Sequence, residues 1–378
     1  MKQLTLLIKP ASSACNMRCR YCFYVDEARH RETGNRGIMT KEMRDCLIAR
    51  AIEAVEEKGT IQFSFQGGEP TVAGLEFFQD FVDTVGRMDQ GKHEIYYALQ
   101  TNGFLINAKW VSFLREHRFL TGISIDGCES LHDLYRLGPQ NEGTFRKIRR
   151  KVYLLSESGV ECNLLCVITR QAAAMAKPIY TGLKLLGVPY LQMIPCLDPL
   201  DAQGSAPWSL DSTSYARFLM ELFDLWYEDW KNGQYTSVRM FEDLVQMKMG
   251  LLPSACAACG ACGSYLVVEA DGSVYPCDFY CLDDFCLGRI QDMSMQALFH
   301  SDRMRAFQMK DGLQMDEACA ECRFYDLCRG GCRREWVVRE GRAVHSRCGE
   351  LRTFFAYAYD RVSEIAEAEI QARTRLGR

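Results

Sequence analysis

Three cysteines fall within one short stretch near the N-terminus, Cys15-Asn16-Met17-Arg18-Cys19-Arg20-Tyr21-Cys22. Thiolates spaced this way on a single loop can reach three corners of a cubane iron–sulfur cluster and leave the fourth iron without a protein ligand. An open coordination position suits a centre that does chemistry on a bound molecule. Zinc is the other reading, because three ligands and a water also describe a catalytic zinc site. A second group occupies the C-terminal third: Cys256, Cys259 and Cys262, then Cys277, then Cys319, Cys322, Cys328 and Cys332, and finally Cys348. The chain carries 19 cysteines in all. An odd number, tightly grouped, with no export signal, favours metal ligands over disulfides.

The elements that must position these groups are legible as alternation. Strand patterns run over 4–8, 61–65, 95–99, 121–125, 162–168 and 190–194. Helical patterns fall between them: one capped by Thr40 and stopped at Gly59, then 74–87, 107–117, 142–158, 175–186 and 211–231. Six strand–helix repeats predict an α/β fold with a parallel sheet curled into a partial barrel. Functional groups then belong at the C-terminal ends of the strands. Several polar segments follow strands: Gln66-Gly67-Gly68-Glu69-Pro70, Gln100-Thr101-Asn102-Gly103, and Ser124-Ile125-Asp126-Gly127 with Arg136 beyond. From about residue 250 helical periodicity lapses and cysteines crowd, so metal clusters are expected to supply much of the order there. The segment 351–369 reads as an amphipathic helix through Phe354, Phe355, Ala358, Val362 and Ile365. The expected organisation is a barrel over 1–235, a cysteine-rich domain over 236–350 and a C-terminal helix over 351–378.

Composition excludes several classes. The formal net charge is -4 and the pI about 6.0, which gives no basic footprint for nucleic acid. The cluster Arg146, Lys147, Arg149, Arg150 and Lys151 reads as a solvated helix face. No apolar run is long enough to span a membrane, and the N-terminal one is too short for a signal peptide, so the expected compartment is the cytoplasm.

The Cys15–Cys22 loop after strand one, with an aromatic before its last cysteine and Gly67-Gly68-Glu69-Pro70 after strand two, resembles the radical S-adenosylmethionine (SAM) superfamily. The resemblance implies that SAM chelates the unique iron of a [4Fe–4S] cluster held by Cys15, Cys19 and Cys22, and is split to methionine and a 5′-deoxyadenosyl radical. Gly67, Gly68, Glu69, Asn102 and Ser124 are the implied SAM contacts. The later pattern, Cys262-x9-Gly272-x4-Cys277 through Cys348, resembles the SPASM domain of peptide- and protein-modifying members. That domain implies two auxiliary [4Fe–4S] clusters, making three in all. One would take Cys256, Cys262, Cys277 and Cys332, and the other Cys319, Cys322, Cys328 and Cys348. Cys259 competes with Cys256 for its place. Cys46, Cys128, Cys162, Cys166, Cys196, Cys281 and Cys286 are left over, mostly as small buried apolar residues.

Longer strings, from Ile8-Lys9-Pro10 through Cys22-Phe23-Tyr24 to Tyr275-Pro276-Cys277-Asp278-Phe279-Tyr280, resemble the anaerobic sulfatase-maturating enzymes. These oxidise a cysteine or serine of a sulfatase to Cα-formylglycine without oxygen. The resemblance makes Asp278 the base, with Tyr24 and Gln66 as polar groups on the substrate side. It implies loss of a β-hydrogen to the radical, a proton to Asp278 and an electron to the auxiliary clusters. The expected partners are a sulfatase segment of the type Cys/Ser-x-Pro/Ala-x-Arg and a low-potential donor such as ferredoxin or flavodoxin. Two alternatives stand beside this: a SPASM enzyme that cross-links or decarboxylates another ribosomal peptide, and a non-catalytic iron–sulfur electron carrier. The first expects an additional N-terminal peptide-binding domain, for which little sequence precedes Cys15.

Overall fold

The computed structural model describes residues 1–201, 206–211 and 213–375. The chain divides into two compact units, each assembled from separate stretches. The first comprises Met1–Ile125, His132–Leu164 and Gly263–Gln308, and the second Asp126–Leu131, Leu165–Cys262 and Met309–Arg378.

The first unit is built on parallel strands. Strand one, Gln3–Lys9, pairs with Thr60–Phe65, which pairs with Glu94–Thr101, which in turn pairs with Leu120–Ser124. The alternation of the early sequence is therefore a parallel sheet, as expected. Helices return the chain between strands. Lys41–Ala54 is capped by Thr40, whose Oγ1 accepts from the backbone N–H of Met43 at 3.2 Å. It ends before Gly59, because Val55 already takes an extended backbone. Leu75–Asp89 stops where Gln90 adopts a left-handed conformation, with φ of 54°. Ala108–Glu116 is capped by Asn107, and Phe145–Glu157 buries Phe145, Ile148, Val152 and Leu155. A short helix, Phe23–Arg29, begins directly after Cys22. The sequence pattern gave no sign of it, since seven residues are too few to show helical periodicity.

The cysteine-rich segment contributes more to this sheet than expected. Leu266–Glu269 is fully buried and lies parallel to strand one on the side away from Thr60–Phe65. Ser273–Tyr275 and Gly288–Arg289 extend the sheet antiparallel beyond it. The run Leu266-Val267-Val268 is short enough to pass for a loop, yet it is core.

In the second unit Tyr190–Pro195 pairs parallel with Ser237–Val238. The last helix, Cys348–Arg375, packs against Ser214–Lys231 and Arg239–Lys248. Phe354 meets Phe223 and Phe241 at ring-centroid distances of 5.9 and 5.7 Å. The five apolar residues read as its buried face are all buried. The helix begins earlier than expected, at Cys348, and residues 376–378 of its expected span lie outside the described residues. Strand Cys162–Ile168, with the expected bounds, carries the chain from the first unit into the second. Among the described residues no helix is long and apolar enough to cross a membrane.

Candidate active site

Strand one delivers its chemistry at its C-terminal end. After Lys9 the chain turns through Pro10–Ala14 into the cysteine loop, where Arg18–Cys19 forms a two-residue antiparallel ladder with Arg136–Leu137. Arg136 backs this loop: it is buried, and its guanidinium lies 5.4 Å from the Tyr21 ring centroid. Its place beside the loop is that of a support.

The sulfur of Cys15 accepts from the backbone N–H of Met17 at 3.4 Å and faces the Asn102 side-chain amide at 3.7 Å. Although Cys15 is exposed as a residue and Cys22 half-buried, loss of water around each sulfur pushes the Cys15 thiol up to about 11 and raises that of Cys22. Buried sulfurs ionise readily only when a cation offsets the loss of water. Three thiols on one loop, none in a disulfide, therefore suit a positively charged metal centre. The same holds in the second unit for Cys319, Cys328 and Cys348. Burial raises each of them, and negative charge on neighbouring members of the Cys319/Cys322/Cys328/Cys348 group raises them further. Cys262 is raised by burial and then by Cys256. Cys259 Sγ instead points at the Pro253 carbonyl, 3.5 Å away.

The Gly67-Gly68-Glu69 segment sits at the end of the second strand. An alanine Cβ at Gly68 would lie 2.4 Å from the Ala14 carbonyl oxygen, so the glycine lets this turn press against the cysteine loop. Gly68→Ala is expected to destabilise the protein by about 1–3 kcal/mol, the usual cost of forcing extra volume into a packed site. Thermal unfolding of the variant beside the parent checks this.

The carboxylate of Glu69 is committed within the chain. Oε1 accepts from the Thr71 N–H, the Thr71 hydroxyl and the Thr101 hydroxyl, while Oε2 accepts from the Asn102 N–H at 2.7 Å. It thus fixes the strand-three loop and turns the Asn102 side chain towards Cys15. Asn102 Nδ2 also donates to Asn16 Oδ1 at 2.8 Å. Ser124 Oγ accepts from Gln100 Nε2 at 3.1 Å, which ties the ends of the third and fourth strands together.

Beside the cysteine loop lies a buried polar cluster. Asp278 follows Cys277 and is 3% exposed. Its Oδ2 accepts from the Tyr24 hydroxyl at 2.7 Å and from Gln66 Nε2 at 3.0 Å. Gln66 also donates to the Tyr24 oxygen at 2.8 Å, closing a three-membered ring of hydrogen bonds. The three residues picked from sequence as base and substrate-side polar groups are thus in mutual contact. Burial and then the Asp278 charge raise the Tyr24 pKa, so Tyr24 stays a donor.

Behind this ring are charges that the sequence reading missed. Lys9 Nζ stands 3.3 Å from Asp278 Oδ1, 3.4 Å from Glu27 Oε2 and 4.0 Å from Glu269 Oε1. Arg31 pairs with Glu269 at 2.6 Å and with Glu27 at 3.4 Å. Burial opposes the Lys9 ammonium, but the carboxylates of Asp278, Glu27 and Glu269 around it outweigh that and raise its pKa. Burial pushes Glu27 up to about 7, against the pull of Lys9. The available signals were a lysine closing an apolar strand, a Glu/Arg pair one helical turn apart, and a glutamate closing Leu266-Val267-Val268. Lys9 and Glu269 are partners in register on adjacent strands.

A model of the radical SAM superfamily matches residues 10–172, and one of an iron–sulfur cluster-binding domain matches 256–323. Cysteine-type anaerobic sulfatase-maturating enzymes of Clostridium novyi and Clostridium perfringens are 39% and 41% identical to this chain. Each alignment covers 97% of it, with 98% and 99% of the respective relative. The chain belongs to the anaerobic sulfatase-maturating enzymes. A solved structure of this family, native anSMEcpe with bound AdoMet and Cp18Cys peptide, superposes with a TM-score of 0.90 at 40% identity. The superposition spans 97% of this chain and 99% of that one. As a sulfatase-maturating enzyme of the radical SAM superfamily, the protein works with [4Fe–4S] clusters and SAM.

Proposed function

We propose that this enzyme oxidises a cysteine or serine of a sulfatase polypeptide to Cα-formylglycine, with Asp278 as the proton acceptor. The observation that carries the residue-level reading is the convergence of Tyr24, Gln66 and the buried Asp278 carboxylate at 2.7–3.0 Å. Cys15, Cys19 and Cys22 would hold the SAM-binding cluster. Cys256, Cys262, Cys277 and Cys332 would hold one auxiliary cluster, and Cys319, Cys322, Cys328 and Cys348 the other. The orientation of Cys259 towards a carbonyl supports Cys256 as the ligand. With SAM bound, these clusters would supply a carbon-centred radical, derived from SAM, that takes a hydrogen atom, and a sink for one electron.

The chain's own residues do the rest. Gly68 lets the SAM-side turn press against the cysteine loop, Glu69 aligns it with Asn102, and Ser124 ties the ends of the third and fourth strands beside it. Tyr24 and Gln66 hold Asp278 Oδ2 in one direction, and its burial keeps bulk water from competing for the proton. The substrate side chain is held on the Tyr24/Gln66 side. The cysteine-type names of the relatives support a cysteine target. A low-potential ferredoxin or flavodoxin would be the electron donor, and the cytoplasm the compartment.

The test is a peptide of the Cys/Ser-x-Pro/Ala-x-Arg type, incubated with the reduced holoenzyme and SAM and read by mass spectrometry. The serine peptide should lose two hydrogens. The cysteine peptide should lose two hydrogens and exchange sulfur for oxygen. Unchanged peptide beside active SAM cleavage would refute the substrate.

A further inference from the structure

Resting on the reading of Asp278 as proton acceptor, we propose that Lys9 is a positioning residue that clamps the Asp278 carboxylate from behind, and that Gly67 is glycine so that the lysine stem can reach it.

The two oxygens of Asp278 are held in different ways. Oδ2 takes two directional hydrogen bonds, from Tyr24 and Gln66. Oδ1 has no aligned hydrogen-bond donor among the described residues, and Lys9 Nζ stands 3.3 Å from it. The lysine therefore acts on Oδ1 as a charge. A carboxylate gripped on one oxygen by neutral donors can still rotate; a cation behind the other oxygen opposes that rotation.

Balancing buried charge is the rival role for Lys9. Glu27 and Glu269, however, each have Arg31 as a second cation. Among the described residues Asp278 makes its ion pair with Lys9 alone. Lys9 is also 1% exposed, so its reach is fixed by what surrounds the stem.

That surround is Gly67. A Cβ built there would stand 2.4, 2.7 and 2.9 Å from Cγ, Cδ and Cε of Lys9, three successive carbons of the stem. The Gly67 backbone, at φ of +98°, lies along the lysine over most of its length. The first glycine of the Gly-Gly-Glu-Pro turn thus accommodates a side chain of strand one, while the second accommodates the cysteine loop. Gly67 supplies a steric handle on Lys9 that leaves every charge in place.

Two variants of the holoenzyme test this. Lys9→Met combined with Glu27→Gln, assayed above pH 7 where Glu27 is ionised, removes one positive and one negative charge, so the buried balance is kept. We expect it to retain iron, bind SAM and substrate peptide with Kd within about twofold of the parent, and still release deoxyadenosine. Formylglycine kcat should fall on the order of 10²-fold with little change in peptide KM, the scale set by about 1 Å of misplacement. Its crystal structure should show the Asp278 carboxylate rotated off Tyr24. Gly67→Ala should uncouple in the same direction with all charges present. Parent-level product from either variant overturns the proposal, as does loss of iron from the double variant. Loss of deoxyadenosine in Gly67→Ala also overturns it, because the glycine would then serve SAM. If Asp278→Asn itself makes product at the parent rate, the base assignment fails; if it does not, but the double variant does, only Lys9 is misassigned.

Discussion

With Cys15, Cys19 and Cys22 all replaced by Ala, SAM cleavage is expected to disappear while roughly two thirds of the iron stays bound. The three residues lie together on the loop after strand one, in the first unit. Of the proposed auxiliary ligands, Cys256, Cys262 and Cys332 and the whole set Cys319, Cys322, Cys328 and Cys348 lie in the second unit, and Cys277 lies in the first. The loop is held by its own ladder to Arg136–Leu137 and by the turn at Gly68, so removing three thiols leaves its backbone supports intact. Metal analysis of anaerobically purified protein should find about 8 iron atoms per chain in place of about 12, four per cluster. Deoxyadenosine should fall below detection by chromatography. Continued deoxyadenosine formation would refute the assignment, and zinc in place of iron in the parent would refute the chemistry as a whole.

Asp278→Asn should separate the two halves of the reaction. Asparagine keeps the size of the side chain and its oxygen can still accept from Tyr24, but it cannot take up a proton at neutral pH. Hydrogen abstraction precedes deprotonation in the proposed order, so the variant should bind SAM, keep its iron and form deoxyadenosine. Formylglycine should drop by a factor on the order of 10²–10⁴, the usual worth of a placed acid–base group. Deuterium at the substrate β-carbon should still appear in deoxyadenosine. Product at the parent rate would remove Asp278 from the mechanism. Loss of iron would show that the residue only braces the Cys277 loop.

The parallel strands and most helices were legible because each has a period, a cap or a stop in its own residues. The cysteine groups and the Asp278–Tyr24–Gln66 convergence were legible through resemblance, since nothing local says that residues at 24, 66 and 278 meet. The charge cluster was not legible. Lys9, Glu27 and Glu269 each look like an ordinary end to an apolar or helical run, and only the pairing of Leu266–Glu269 with strand one turns them into a buried set. The role of Gly67 was read as close approach to a ligand. The structure adds a close approach to the Lys9 stem, which a list of residues in order cannot express.

The edge of the sheet has a consequence for how the molecule is made. Strand one leaves the ribosome more than 250 residues before its outer neighbour, Leu266–Glu269. Until that strand emerges, Leu6 and Ile8 lack cover on that side, and Lys9 has neither Glu269 nor Asp278 beside it. Pairings this remote in sequence close slowly, because the loop entropy is met before contacts repay it. Sealing of this sheet edge is therefore tied to synthesis of the segment beyond residue 263. A nascent polypeptide stalled before residue 263 should remain an unsealed sheet, open to chaperones and proteases, with Lys9 still waiting for its counter-charges.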